Sequence, residues 1–297
     1  MFSNKKLRVS ITHYQGVITA LGEINTDWFS GQTIVFEDFK INCNIKKTPS
    51  TCGYTASVDI YGVSQESLDD ITTIAWIDGV IKPKKIRIEA DEGNGYVTLF
   101  EGGIMEAVPN YEKVPDVSIH IESSMLVYPN IMKAPPLTLE RGTSIFNFCK
   151  ALGNAYNISC YPELPLTPIF PIWNGGTKIF NQESFGDRLD EFCRIAELEY
   201  AFKTFGVRIY KKGTPLVKDF YFTPENYVGY PSFENFGISL SSDVLYDVDC
   251  GDRINVSGSI VGPANGTWVV NVIEYKLQTR TPSGVWQMIL HGTRIKQ

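Results

Sequence analysis

Histidine, the side chain most often used in acid–base and metal chemistry, occurs three times in this sequence, as His13, His120 and His291. Each lies where apolar and polar residues alternate, which is typical of β-strands. His120 and Glu122 are two residues apart and share one face of a predicted strand, so they could begin a metal site. Two ligands do not hold a metal specifically, and we therefore predict structural or exposed roles for all three histidines.

A charge run at 187–194 is the second place where chemistry could be expected. Asp187, Asp190 and Glu191 lie close to Arg188 and Arg194, and paired carboxylates can perform general acid–base catalysis. The same spacing is typical of the solvated face of an amphipathic helix, where charges three and four residues apart pair. We favour the solvated face.

Glycine-rich and cysteine patterns add no specific signal. The segment "NGGTK" at 174–178 lacks phosphate-loop spacing, and "GNG" at 93–95 fits a hairpin turn. The six cysteines include no CxxC pair, so we expect reduced and mostly buried thiols. No catalytic, cofactor-binding or metal-binding residue is predicted, no cofactor is expected, and we predict that the protein is not an enzyme.

The elements that would hold these side chains are mainly strands. Apolar residues recur at every second position along five stretches of the first 126 residues, which predicts antiparallel sheet with one buried face. The buried-face positions are Leu7, Val9 and Ile11; Val35, Phe39, Ile41, Cys43 and Ile45; Tyr54, Ala56, Val58 and Ile60; Ile86 and Ile88; Val117, Ile119 and Ile121. The residues between them are polar, so we expect the opposite face to meet water or a wet partner.

Helices interrupt the strands in three places. Ser67 is predicted to cap a helix beginning at "SLDD", and Thr143 a helix in "TSIFNFCKALGNAY". Ser184 and Asp187 resemble a capping box before the charge run. Prolines at 127–142 predict a boundary, because they remove ladder donors.

The sequence therefore predicts a mainly β (α+β) fold with three regions. A sheet region covers residues 1–126, a small mixed α/β insert covers 127–215, and a second sheet region covers 216–297.

The composition limits the possible functions. The chain of 297 residues is 43% apolar and 20% charged, as expected of a folded globular protein. A net charge of −6 argues against a protein that binds nucleic acid through its phosphates. No apolar run is long enough for a membrane span, and the N-terminus lacks the apolar core of a signal peptide, so we expect no membrane partner and folding in a cytoplasm.

The C-terminal stretch resembles the closing domain of baseplate hub proteins of tailed bacteriophages. The resemblance depends on "GDRINVSGSI", on "ANGTWVVNVIEYKLQTR", and on a final hairpin around Pro282, Gly284 and Trp286. The segments "NKKLRVSIT" and "DIYGVSQESLDDITTIAW" resemble the first domain of the same proteins. One departure is Ser283, where two adjacent glycines are expected; a serine fits such a turn if it need not adopt a positive φ.

This resemblance implies a structural role. Such hubs, like those of type VI secretion spikes, carry two tail-tube-like antiparallel β-barrel domains per chain, so that a homotrimer forms a pseudo-sixfold ring. The ring joins the hexameric tail tube to the trimeric central spike, contacts other baseplate proteins and the tape measure protein, and lines the channel that DNA crosses as transient cargo during ejection. The implied location is the virion tail baseplate, assembled in the host cytoplasm.

Two other functions are compatible with the sequence. A tail-tip or tube-end adaptor would share the barrels but have different neighbours. A carbohydrate-binding or hydrolytic tail module would instead present Trp173, Tyr227 and Tyr230 together in an exposed groove.

Overall fold

The computed structural model describes residues 5–14, 17–19, 24–25, 31–48, 53–72, 80–112, 117–156, 158–163, 172–181, 184–204, 206–211, 218–234, 237–243 and 247–294. Strands dominate these residues, which confirms the predicted mainly β class. Across the described ranges, no helix has the length and apolar character needed to cross a membrane.

The strands of the first region are β1 (Lys6–His13), β2 (Val17–Thr19), β3 (Ile24–Asn25), β4 (Thr33–Glu37), β5 (Lys40–Lys47), β6 (Thr55–Tyr61), β7 (Val80–Ile81), β8 (Lys84–Asp91), β9 (Val97–Asn110) and β10 (Ser118–Ser124). Those that follow are β11 (Leu137–Leu139), β12 (Cys160–Glu163), β13 (Lys178–Phe180), β14 (Leu198–Lys203), β15 (Gly206–Lys211), β16 (Asp219–Phe222), β17 (Ser232–Glu234), β18 (Gly237–Ser242), β19 (Arg253–Val256), β20 (Gly266–Gln278) and β21 (Trp286–Arg294). The helices are α1 (Gln65–Ile71), α2 (Val127–Ile131), α3 (Ile145–Ala155) and α4 (Phe185–Ile195), with a 3₁₀ turn at Gly262–Ala264.

One sheet of thirteen strands joins the two ends of the chain. Its main path runs β17-β18-β21-β20-β5-β6-β10-β9-β8-β1-β4, and β19 and β16 extend it beside β20. The joint is the antiparallel pairing of β20 with β5, in which Tyr275 lies opposite Ile45. The first and last sheet regions are therefore hydrogen-bonded to each other.

The sheet curls back on itself at both ends. β4 and β5 are separated in the chain only by Asp38 and Phe39, yet five strands lie between them in the sheet, so this run of strands must bend into a closed curve. At the other end the chain leaves β16, and the backbone N–H of Val228 donates to Ser241 of β18 at 2.8 Å. Curled sheets of this kind bury one face and limit free edges.

The buried face follows the predicted alternation with one exception. The side chains of Ile41, Val58, Ile119 and their neighbours are almost fully buried, and each such residue contributes about 1.5–3 kcal/mol by leaving water. Val35 was predicted on this face but is 50% exposed. The reason is the corner at Asp38, whose φ of 65° breaks the alternation between β4 and β5.

The described part of 127–215 forms its own small sheets. Strands β12, β15 and β14 form one, and β11 with β13 forms another, while α3 and α4 pack beside them. The Phe148 and Phe192 rings, from the two helices, have centroids 4.7 Å apart.

Two of the predicted helix starts are wrong by a few residues. α1 is capped by Ser64, whose side chain accepts from the N–H of Ser67, so Ser67 is inside the first turn. α3 is preceded by Ser144, and Thr143 instead accepts from the N–H of Glu140. Neighbouring serines and threonines are equally good caps, and tertiary packing selects among them.

Ser184 caps α4 as predicted, because its hydroxyl accepts from the Asp187 N–H at 3.2 Å. The final turn differs from expectation, since Ser283 adopts a positive φ of 57°. A serine therefore holds a backbone conformation that glycine adopts more easily.

Candidate functional site: a polar sheet face and a buried ion cluster

The three histidines are not brought together. His13 lies opposite Lys84 on β8, His120 is on β10, and His291 is on β21. Among the residues that the structure describes, no group of three or more histidine, cysteine, aspartate or glutamate side chains is arranged to hold a metal ion.

In the charge run on α4, the predicted exposure of one residue is wrong. Arg188 was predicted on a solvated face but is fully buried. Its guanidinium donates to the carbonyls of Pro135 and Ala134, each at 3.0 Å, and to that of Asn181. It also lies 5.3 Å from the centroid of the Tyr156 ring. Arg188 therefore fixes α4 to the preceding chain.

The aromatic groove expected of a carbohydrate-binding module does not form as predicted. Tyr230 is 67% exposed, but Tyr227 is buried. The Trp173 ring is partly buried, and its Nε1 donates to the Gly176 carbonyl at 2.9 Å. These three rings therefore do not share one exposed platform.

The cysteines that the structure describes are free thiols: Cys43, Cys149, Cys193 and Cys250 are buried, and Cys160 is half-buried. Burial raises the pKa of the Cys43 and Cys149 thiols to about 12. Thiols of this kind are poor nucleophiles.

The face of the thirteen-stranded sheet opposite its core carries many polar side chains, and we call it the polar face. Residues directly opposite each other on paired strands share this face, for example Gln278, Asn42, Asp59 and His120 in sequence across β20, β5, β6 and β10. Other members are Arg8, Ser10, Thr12, Asn44, Lys46, Thr55, Ser57, Arg87, Glu89, Glu101, Glu122, Glu274 and Lys276.

Opposite charges are interleaved across the polar face. Arg8 Nε lies 3.0 Å from Glu37 Oε2, and Arg87 Nη2 lies 2.7 Å from Glu101 Oε2. A Lys46 to Glu274 pair, at 3.3 Å, bridges β5 and β20. Exposed pairs of this kind add little stability individually. Because each of these basic side chains has a carboxylate beside it, the polar face is not strongly basic.

His120 lies between two carboxylates on the polar face. Its Nδ1 is 2.7 Å from Asp59 Oδ1 and its Nε2 is 3.0 Å from Glu122 Oε1. Carboxylates only accept hydrogen bonds, so satisfying both requires a proton on each ring nitrogen. The bond to Asp59, helped by Glu122, raises the pKa of His120 above its ordinary value, against a smaller opposing effect of burial.

The main path of the sheet ends at β4 and β17, and β16 pairs only with β19. Over the described ranges, no strand pairs with the outer sides of β4, β17 or β16. Unpaired edges carry backbone donors and acceptors that another chain can use.

A buried ion cluster, which was not predicted from the sequence, lies inside the fold. Lys47 continues the buried face of β5 after Ile45, and its side chain is only 1% exposed. Its Nζ donates to Asp249 Oδ1 at 3.2 Å, Thr204 Oγ1 at 3.0 Å and the Val248 carbonyl at 3.3 Å. The alternating pattern alone could have flagged Lys47, because a lysine at a core position needs a buried partner.

The cluster draws on three separate parts of the chain. Lys203 Nζ lies 3.1 Å from Asp249 Oδ2 and 3.4 Å from Asp252 Oδ1, and Arg208 Nη2 lies 3.7 Å from the same Asp252 atom. The Tyr54 hydroxyl donates to the Phe202 carbonyl. Lys47 belongs to the first region, Lys203 to the middle and Asp249 to the last.

The charges in this cluster stabilise each other. Burial by itself would raise the pKa of Asp249, but Lys47 and Lys203 outweigh it and lower that pKa. Burial likewise opposes the charge of Lys47, yet Tyr275 and Asp249 together raise the pKa of Lys47. Both groups therefore remain ionised, and the loss of Asp249 leaves the buried Lys47 without its paired carboxylate.

Comparison of the sequence with known families gives no match, and no curated protein sequence matches either. Comparison of the fold does find relatives. The Escherichia coli c3393 protein, described as a component of the type VI secretion system with structural similarity to T4 bacteriophage tail proteins gp27 and gp5, matches with a TM-score of 0.59 at 6% identity, over 87% of this chain and 74% of that one.

Two further structures match along almost the whole chain. A tail protein from Neisseria meningitidis has a TM-score of 0.59 at 8% identity, over 96% of each chain. The Francisella PdpA–VgrG complex has a TM-score of 0.57 at 8% identity and matches 99% of this chain, which spans 60% of that one. The chain therefore has the fold shared by phage tail proteins and type VI secretion proteins.

Proposed function

We propose that this protein is a structural baseplate hub of a phage tail, without enzymatic activity. In this role three copies form a pseudo-sixfold ring between the hexameric tail tube and the trimeric central spike. The ring also contacts other baseplate proteins and the tape measure protein. The observation that carries the proposal is the single sheet that runs from β4 through β5 and β20 to β17 and presents the polar face on β1, β5, β6, β8, β10 and β20.

Two curled halves within one chain support the ring geometry. Each half of the sheet bends back on itself, and the β20–β5 pairing holds the halves side by side. Three copies of such a chain would present six similar units to the sixfold tube, while the three chains themselves match the threefold spike. We propose residues 1–126 and 216–297 as these two units, with 127–215 as an insert between them.

The charge distribution supports a DNA channel lined by the polar face. A strongly basic lining would hold phosphates and slow the passage of DNA. On this face the basic side chains of Arg8, Arg87 and Lys46 are matched by carboxylates, and the whole chain carries a net charge of −6. Such a surface lets DNA pass without binding.

The sheet edges supply a means of ring closure. A ring requires head-to-tail contacts, in which one surface of a copy meets a different surface of the next. β4 and β17 are different ends of one sheet, so pairing β17 of one copy with β4 of the next would close a ring through backbone hydrogen bonds. A tube-end adaptor could use the same edges, and its neighbours would distinguish it.

The proposal is tested by the native mass of the purified protein, measured by light scattering over a concentration series, alone and co-expressed with the spike protein of the same phage tail. The proposal expects a trimer, either alone or when the spike is present. A hexamer that binds the tube protein and ignores the spike would favour the adaptor. A monomer that ignores both proteins would refute a ring-forming role.

A further inference from the structure

The hairpin formed by β14 and β15 inserts its tip into the buried ion cluster. Lys203, the last residue of β14, contacts Asp249 and Asp252, and Thr204 accepts from Lys47. Both tip residues belong to 127–215, whereas their partners lie in the strands and connections of the large sheet. The cluster therefore joins the middle segment to both sheet regions at one point.

A cavity of about 280 Å³ lies beside this point. Gly102 and Gly103 of β9 line it on the side of the large sheet, and Tyr156, Ser159 and Gly206 line it on the side of the middle segment. The cavity is partly open to solvent, so it separates the two sides instead of being a closed interior void. The contact between the segment and the sheet is consequently incomplete next to the hairpin tip.

The described part of 127–215 is held together by its own contacts, and α2 fixes its start to the sheet, where the Tyr128 hydroxyl accepts from the Lys84 N–H at 2.8 Å and donates to the Ile104 carbonyl at 3.0 Å. Arg188 binds the carbonyls of Ala134 and Pro135 to α4, and the Phe148 ring packs against the Phe180 and Phe192 rings. These contacts all lie within 127–215. A motion of the described residues that follow α2 would leave these contacts intact, so this part can move about α2 as one body.

We infer that the hairpin tip at Lys203 and Thr204 is a latch that holds the part of segment 127–215 after α2 against the large sheet. With the ion cluster complete, the segment is docked. When the cluster loses a charge, the segment opens about the cavity while the large sheet remains folded. This inference does not depend on the proposed function; in a hub, such an opening would let the surface of the segment rearrange when a partner protein binds.

Local opening and global unfolding are distinguished by hydrogen exchange. Amide exchange of the full-length protein is followed by mass spectrometry in the wild type, in Asp249→Asn and in Thr204→Val. Asp249→Asn removes the shared counter-charge of Lys47 and Lys203. Thr204→Val is milder, because it removes one hydrogen bond acceptor from Lys47. Asp219→Asn serves as the matched control, since Asp219 pairs with Arg253 at an exposed site on β16.

A latch predicts that amides of β14, β15 and α4 exchange together, and faster than those of β6 and β10. Asp249→Asn should increase exchange in the first group by at least about tenfold, because an unpaired buried charge favours the open form. Exchange in β6 and β10 should change less than about twofold, and the control should change neither group. Thr204→Val should give the same pattern with a smaller increase, and it decides the question if Asp249→Asn does not fold. Equal acceleration in both groups, or no acceleration in β14 and β15, would overturn the latch.

Discussion

Lys47 and Arg188 are both fully buried cations, but they are satisfied by different kinds of partner. Lys47 has a carboxylate, Asp249, at 3.2 Å. Arg188 instead donates to three backbone carbonyls and lies over the face of the Tyr156 ring. A guanidinium can contact several carbonyls at once because its donors are spread over a rigid plane.

Arg188→Met is therefore expected to destabilise the protein. The change leaves the buried Ala134 carbonyl without the donor it uses now, and an unsatisfied buried group costs about 1–3 kcal/mol, whereas Pro135 and Asn181 are exposed and their carbonyls can bind water. We expect a loss of about 1–3 kcal/mol, measured by urea unfolding followed by circular dichroism. Arg194→Met, at an exposed position on the same helix, should change stability by less than about 0.5 kcal/mol. Similar losses in the two variants would show that the carbonyl contacts of Arg188 contribute little.

His120 makes the protein sensitive to pH at one position of the polar face. Its pKa is raised in the folded state, so its contribution to stability is complete below the unfolded value of 6.5 and is lost as pH rises through the folded pKa. The stability difference between the wild type and His120→Gln should accordingly be largest below pH 6.5 and should shrink in alkaline solution. Denaturant unfolding at a series of pH values measures it.

The effect of Asp59 on the pKa of His120 can be measured directly by NMR. The imidazole resonance of His120 should titrate above the ordinary histidine value in the wild type, and Asp59→Asn should bring its pKa down. A pKa of His120 that does not respond to Asp59→Asn would contradict the two-carboxylate arrangement. The chain has only three histidines, which simplifies the assignment.

Among the elements, the final hairpin shows where local sequence and backbone geometry disagree. Ser283 has a φ of 57° in the turn between β20 and β21. A left-handed conformation costs a non-glycine residue about 1–2 kcal/mol. Substitution by glycine removes this cost, but the larger conformational entropy of glycine in the unfolded chain offsets part of the gain in stability.

Ser283→Gly should therefore raise the stability by about 0.5–1 kcal/mol, measured as an increase in the midpoint of urea unfolding. Ser257→Gly is a matched control, because Ser257 is exposed and is not among the residues with positive φ. The control should lose about 0.5–1 kcal/mol. A destabilising effect of Ser283→Gly would mean that the serine side chain makes a contribution larger than the strain.

The elements also show what the sequence could and could not predict. Period-two alternation located β1, β5, β6, β8 and β10, because a sheet with one buried face imposes it. It failed at Val35, where a tight corner at Asp38 breaks the period. It could not predict that β20 pairs with β5, since Tyr275 and Ile45 are remote in sequence and nothing local specifies their register.

The candidate site was less predictable than the fold. The polar face follows from the same alternation, so its residues could be named in advance. The buried ion cluster combines Lys47, Lys203 and Asp249 from three distant segments, and only the tertiary structure brings them together. The burial of Arg188 was missed because helical charge spacing does not reveal which face meets the core.

For the assembled molecule, the sheet edges decide whether copies can join. Val35, on edge strand β4, is 50% exposed. A lysine on an edge strand discourages pairing with another chain. Val35→Lys should weaken self-association by at least about tenfold while changing the stability of the single chain by less than about 0.5 kcal/mol. Sedimentation velocity measures the association.

Val97→Lys is the matched control for this prediction. Val97 is 49% exposed and lies opposite Ala90 on β9, a strand inside the main path of the sheet and remote from its ends at β4 and β17. It should leave self-association unchanged. Equal association of Val35→Lys and the wild type would exclude β4 from the contact between copies.

The most direct test of the hub proposal is an electron cryomicroscopy reconstruction of the assembled particle, prepared with the spike protein. The proposal predicts three copies around a central axis, with the polar face, marked by Asn42, Asp59 and His120, lining the opening, and with β17 of each copy beside β4 of the next. A particle in which this face points outward, or in which the copies do not enclose an opening, would contradict it.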